Sequence, residues 1–271
     1  MIKAEIIGFD DDFRGICNIE NKRVAIKDSL IGDVFDIDIT DKKIISINRI
    51  KDSIDRIESE CIHYSDCGAC NKQYIVEDKY LIYKNQILDN ILQKLGFPNV
   101  LDKPFTVGRY SRRRSSFKVK SGVIGYYRER SHDIFSIKSC FILDESILNT
   151  INLIKKWERS ILNNITDINI SIADYGMDIL LFIKREFSQK EIQYIVNFAQ
   201  KNNIIRLSTN CNNITIPMIV TKIPVLVLGR YMVELPEVNF LQVNKYSQEY
   251  ITNLIIKHIN NISKIADIYS G

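Results

Sequence analysis

"CIHYSDCGAC", residues 61–70, puts three of the chain's six cysteines into ten positions. Cys61, Cys67 and Cys70 follow the spacing C-x5-C-x2-C, and Gly68 supplies a turn between the last two. Soft thiolates so arranged suit zinc or an iron–sulfur cluster, and both usually want a fourth ligand. His63, Cys140, Cys17 and Cys211 are the candidates. Cys140 is preferred, because "SIKSCFILDE" follows a basic segment from which a strand could return to the cluster. Spacing alone does not separate zinc from iron–sulfur. The plain alternative is three buried apolar cysteines that happen to lie close together.

The surroundings favour a metal. The chain has 271 residues, 45% hydrophobic and 26% charged, which fits a globular protein of two domains or of one domain with an appended module. No apolar run approaches a bilayer span, and "MIKAEIIGFDDDF" lacks the basic region and long apolar core of a signal peptide. A cytoplasmic, reducing location without a membrane partner is therefore expected, where clustered cysteines read as metal or redox groups rather than disulfides. The net charge of +4 is unevenly spread. Residues 1–60 carry ten basic and fourteen acidic side chains, whereas 101–140 carry ten basic and three acidic. Such a local positive field suits a surface that meets a polyanion.

Organisation follows from periodicity. Up to about residue 50, short β-branched alternating runs ("KAEIIGF", "GICNIENKRVAI", "DVFDIDITD", "KIISINRI") broken by Gly15, Gly32 and Asp-rich turns predict a small antiparallel barrel over 1–54. Ile75, Leu81, Ile82, Leu88, Ile91, Leu92 and Leu95 predict a helix over 74–96, ending at Gly96 with Pro98 beyond. Strand-like runs in about 105–235, with helical patterns near 143–163 and 188–202, predict a mixed α+β domain, set at 55–235. "NKYSQEYITNLIIKHINN" reads as an amphipathic helix, and "SKIADIYSG" as the start of a buried strand heading into a glycine turn. These last elements make 236–271 look like the beginning of a further domain.

The basic segment "GRYSRRRSSFKVK" sets Arg109, Arg112, Arg113, Arg114, Lys118 and Lys120 beside Tyr110 and Phe117. "GYYRERSHD" adds Tyr126, Tyr127, Arg128, Arg130 and His132. Guanidinium groups pair bidentately with phosphate and exposed rings stack on splayed bases, so basic and aromatic residues together suit folded or single-stranded RNA. The bland reading is a solvated strand pair, and for His132 a local hydrogen bond.

"CIHYSDCGAC", the helix after it and "YSRRRSSFKVKSGVIGYYRERSHDIFSIKSC" together resemble the RNA (uracil-5)-methyltransferase family. The resemblance implies that Cys61, Cys67, Cys70 and Cys140 bind a 4Fe-4S cluster, and that the N-terminal barrel is a TRAM domain, an OB-like RNA-binding module. "PEVNFLQVN", residues 236–244, resembles the segment whose glutamine, here Gln242, contacts S-adenosylmethionine. "IADIYSG" resembles the first motif of the family's Rossmann domain, where Tyr269 and Gly271 would line the cofactor.

In that family a cysteine attacks C6 of uracil, C5 takes the methyl group, and elimination follows removal of the C5 proton. The groups responsible lie beyond the first Rossmann motif, so no catalytic residue is assigned here. Cys17 and Cys211 lack the nucleophile's context and are expected to be structural, and Ser270 does not stand at the nucleophile's position. The expectation is the N-terminal part of a 5-methyluridine RNA methyltransferase acting on rRNA or tRNA. It would be inactive and weak or absent in S-adenosylmethionine binding alone, and completed by a second polypeptide. The alternatives are a stand-alone iron–sulfur RNA-binding protein and the remnant of a truncated gene.

Overall fold

The computed structural model describes residues 2–40, 43–259 and 262–266. They divide into two compact units, residues 1–65 with 70–104 and residues 66–69 with 105–271. In the first, the alternating runs form β1 (Ile2–Glu5), β2 (Gly8–Phe9), β3 (Gly15–Ile19), β4 (Lys22–Ile26), β5 (Val34–Thr40) and β6 (Lys43–Lys51). They pair antiparallel as two sheets, β1-β5-β6 and β2-β3-β4. Side chains alternate across a strand, so Ala4, Cys17, Ile19, Ile26, Phe35 and Ile37 point from both sheets into one buried cluster.

Helix α1 (Glu77–Lys94) carries Glu77 and Asp78 in its first turn, where carboxylates complement the helix dipole. Its end is a Schellman motif: Gly96 has φ +88°, its N–H donates to Gln93, and the Phe97 N–H donates to Leu92. Tyr83 packs its ring edge-on to Phe9, beside buried Leu30, Tyr74 and Ile75.

Asp33 holds this unit together. Fully buried, it accepts hydrogen bonds from the backbone N–H of Leu30 (2.7 Å) and Ser53 (2.7 Å) and from Arg56 Nη2 (2.6 Å). Arg56 also donates to the Asp28 carbonyl (2.9 Å) and lies 4.6 Å over the Tyr74 ring. Removing one partner of a buried pair strands the other charge, so Asp33→Ala is expected to cost about 3–5 kcal/mol. A midpoint shift in urea denaturation smaller than about 1 kcal/mol, against wild type, would refute that.

In the second unit β7 (Arg114–Lys120), β8 (Val123–Tyr127), β9 (Ile134–Phe135), β10 (Ile165–Ala173), β11 (Gly176–Ile183), β12 (Ile204–Cys211) and β13 (Ile214–Val220) make a seven-stranded sheet ordered β13-β12-β11-β10-β7-β8-β9. The parallel pair β11–β12 is joined by a crossover helix, as parallel neighbours require. The helices are α2 (Glu145–Ile154), α3 (Arg159–Asn164) and α4 (Gln189–Lys201), the last of which is that crossover. Their apolar sides bury Ile147, Ile151, Ile154, Leu162, Ile195 and Ala199 with Phe117, Ile168, Ile179 and Leu207 of the sheet. The hairpin β14 (Val225–Leu228) and β15 (Tyr231–Glu234) follows, then α5 (Lys245–Ile259).

The mixed α+β class is the one expected. The helix expected near 143–163 is two helices, because the chain turns after Ile154 and carries Trp157 into the core. The helix near 188–202 starts at a capping box, with the Ser188 side chain and Glu191 bonded to each other's backbone N–H. The stretch expected as the final strand lies, from residue 267 on, outside the described residues, and Tyr269 and Gly271 with it.

Candidate nucleic-acid and cofactor interface

The arginine triplet sits where the chain enters β7. Arg112 is bridged by backbone to Leu143 on one side and Asn244 on the other. Its side chain is exposed, with Nε donating to the Arg114 carbonyl (3.1 Å). Arg113 is buried: its N–H donates to the Val243 carbonyl (2.8 Å), Nε to the Gln242 carbonyl (3.1 Å) and Nη2 to Gln248 Oε1 (2.7 Å). Burial pulls its pKa down, partly offset by Asp174 and Glu249. Arg114 is half-buried, donates from Nη1 to the Leu241 carbonyl (3.1 Å) and stands 4.7 Å over the Phe240 ring. Three residues expected to face RNA thus grip the segment that carries exposed Gln242. Arg113 is committed to the protein interior, which corrects its placement on an RNA-facing surface.

A second anchor holds the same segment from below. Asp178 and Arg206 are register neighbours on β11 and β12, both buried, and bonded twice at 2.9 and 2.8 Å. Arg206 gives two further donors to the carbonyls of Leu235 (2.8 Å) and Pro236 (2.8 Å). Asn239 Nδ2 reaches Pro236 O (3.0 Å) and Asp178 Oδ2 (3.3 Å). Buried Asn244 donates to the Ser111 carbonyl (3.1 Å) and accepts from Ser247 N (3.1 Å), pinning the basic segment and starting α5 together. Lys245 pairs with Asp174 at 2.7 Å. Burial raises the Asp174 pKa, but Lys245 and the Val227 N–H outweigh it and the net shift is downward. None of these anchors was identified from sequence. The signal available was a lone Asp in "GMDILLFI" and a lone Arg in "IIRLST", each charge isolated in an apolar strand.

Of the remaining basic residues, Lys118 pairs with Asp167, Arg128 pairs with Asp66 and lies 5.0 Å over Phe135, and Arg109 lies 4.8 Å over Phe141. The Arg130 side chain is three-quarters exposed, and Lys120 is exposed. Tyr110 and Tyr127 keep exposed rings, with His132 edge-on to Tyr127 at 5.6 Å. Phe117 is fully buried and stacks on Tyr126 at 5.1 Å, and Tyr126 hydrogen-bonds Ser115, so these two rings are not offered to bases. Period two explains it: Ser115, Phe117 and Val119 share the inward face of β7.

The cysteines divide between the units. Cys61 and Cys70 belong to the first, Cys67 and Cys140 to the second. Within the second, the Gly68 N–H donates to the Tyr127 carbonyl (3.0 Å), and a Cβ at Gly68 would stand 2.7 Å from that oxygen. Cys67 and Cys140 pack on the same core, and both act on Tyr126, whose pKa burial above all pushes up to about 12. Cys17 is buried with its pKa raised by burial, as a structural thiol should be, and Cys211 is half-buried. The donor chemistry suits a thiophilic metal. Among the described residues, however, no three His, Cys, Asp or Glu side chains come together as a metal site.

No protein-family model matches the chain. An uncharacterized RNA methyltransferase of Zymomonas mobilis is 28% identical over 228 residues, covering 79% of this chain and 56% of the relative. A 23S rRNA (uracil(1939)-C(5))-methyltransferase of Shewanella woodyi is 22% identical over 219 residues, covering 75% and 49%. The chain is a relative of the RNA methyltransferases. It spans about half to two thirds of the length of the curated methyltransferases it matches. The fold agrees with the crystal structure of Pyrococcus abyssi tRNA (uracil-54, C5)-methyltransferase in complex with S-adenosyl-L-homocysteine, with TM-score 0.64 and 14% identity over 94% of this chain and 64% of that one.

The anchoring yields a prediction in the methyltransferase relative itself. Arg113→Ala should speed amide exchange across residues 241–248 about tenfold or more while leaving β10–β12 protected. Unchanged exchange in that segment would mean that Asp178 and Arg206 hold it unaided.

Proposed function

We propose that the chain is part of an S-adenosylmethionine-dependent RNA methyltransferase that modifies C5 of uracil in rRNA or tRNA. The observation that carries this reading is the double anchoring of residues 236–244, which holds Gln242 beside the basic residues. Its support from relatives is the shared sequence with RNA methyltransferases. S-adenosylmethionine would supply the methyl group, and Gln242, with Tyr269 and Gly271, is the proposed contact to it. Residues 1–54 serve as an OB-like (TRAM) RNA-binding barrel, and 236–271 as the first helix and strand of a Rossmann-like methyltransferase domain. Arg109, Arg112, Arg114, Lys118, Arg128 and Arg130 are the proposed phosphate ligands. Arg113 is a positioning residue instead.

Transfer requires polypeptide equivalent to the part of the relatives that this chain does not span, whether joined to it or separate. The 271 residues alone should transfer no labelled methyl group from S-adenosylmethionine to unmodified rRNA or tRNA. Label incorporated by the purified chain would defeat that statement.

RNA binding is the activity testable in isolation. Each phosphate contact removed should lessen the slope of log K against log salt by about 0.7–0.9. Arg112→Ala with Arg130→Ala should therefore flatten the slope by about two such steps. A slope indifferent to both would remove these residues from the interface.

For Cys61, Cys67, Cys70 and Cys140 we propose a 4Fe-4S cluster, on donor chemistry and sequence resemblance. Anaerobically purified protein should carry iron and visible absorbance, both lost in Cys67→Ser. Stoichiometric zinc without iron would replace the assignment.

A further inference from the structure

The hairpin β14–β15 is fixed at its root and bare at its tip. At the root, the Asp174 N–H donates to the Val225 carbonyl (3.1 Å), the Asp174 carboxylate accepts from the Val227 N–H (2.7 Å), and the Leu235 N–H donates to the Pro224 carbonyl (2.8 Å). Leu226 is buried with Ala173, Leu235 and Leu241. On the opposite face the Tyr175 hydroxyl donates to Met232 Sδ (3.3 Å). The hairpin is therefore a braced arm, and all four residues of β15 are exposed on it.

Register decides what the tip presents. Leu226 lies opposite Val233 and Leu228 opposite Tyr231, so these four side chains share one face, with Leu226 buried at the root and Tyr231 exposed near the tip. Tyr231 stands one pair further out, about 7 Å beyond the place where Leu226 packs with Leu241. Leu241 in turn accepts from Arg114 at its carbonyl (3.1 Å) and precedes Gln242. The tip thus continues the surface on which phosphates are proposed to lie.

Arg230 Nη2 donates to the Tyr231 hydroxyl (2.8 Å), and the guanidinium lies 5.1 Å from the centre of the ring, while Tyr231 stays 61% exposed. Residues 222–233 carry two basic side chains, Lys222 and Arg230, and no acidic one. An apolar protein surface laid here would strip water from Arg230 and return no counter-charge. An unpaired nucleotide answers both groups, because its base stacks on the ring and its phosphate faces the cation. We propose that Tyr231 and Arg230 hold one unpaired RNA nucleotide next to the nucleotide taken by the Gln242 segment, resting on the methyltransferase reading for the identity of the partner.

The test is binding of the full chain to an unstructured single-stranded RNA across a salt series. Tyr231→Ala should weaken binding about tenfold, the share of one stacked base, with the salt slope unchanged. Tyr231→Phe, which keeps the ring, should bind within about twofold of wild type. Arg230→Ala should lessen the slope by about 0.7, one phosphate on a single strand. Affinity that responds to Arg112→Ala with Arg130→Ala but ignores Tyr231→Ala overturns the hairpin site alone and points to polypeptide as its cover. A loss as large in Tyr231→Phe as in Tyr231→Ala overturns stacking. A wild type without affinity for the RNA overturns RNA as the partner, both here and at the arginines.

Discussion

The second unit depends on one ion pair. Asp178 and Arg206 lie side by side on parallel strands, and taking both out of water costs several kcal/mol per ion before any return. The cost is offset because four of the five guanidinium N–H groups are matched, two by carboxylate oxygens and two by the carbonyls of Leu235 and Pro236. Those carbonyls are not part of the sheet. The pair therefore fixes where the chain leaves the sheet, and from there Asn239, Leu241 and Asn244 find their places.

The arginine-rich segment completes the arrangement from the other side. Its positive charge divides by solvent exposure: Arg113 satisfies carbonyls inside, Arg114 is shared between a carbonyl and the Phe240 ring, and Arg112 stays outside. A guanidinium can do all three, because its flat fork suits carbonyl pairs and ring faces equally, which a lysine ammonium would not. Positive field and loop anchoring are thus properties of the same three consecutive residues.

Much of the scaffold was legible in the sequence, for local reasons. Alternation gave the strands, Gly96 gave the end of α1, and "SQKE" gives the start of α4. The inward turn of Phe117 was also legible, since it stands two residues from Val119 in an alternating run, but the basic residues around it suggested exposure instead. Arg113 was not legible, because its acceptors are more than a hundred residues away and nothing nearby marks them. The cysteine spacing was plain, yet Cys61 and Cys70 fall in one compact unit and Cys67 and Cys140 in the other, a division that spacing does not carry.

Arg113 also sets a clock. Its acceptor Gln242 lies 129 positions later and Gln248 lies 135 later. At synthesis rates of about 5–20 residues per second, Arg113 is made roughly 7–27 s before both are available. During that interval the start of β7 has its charge in water and no partner for its grip, so the sheet can assemble on its helical face but not close on the other. The segment around Gln242 joins this unit only after that interval, and it brings Leu235 and Leu241 to their buried places beside Ala173 and Leu226.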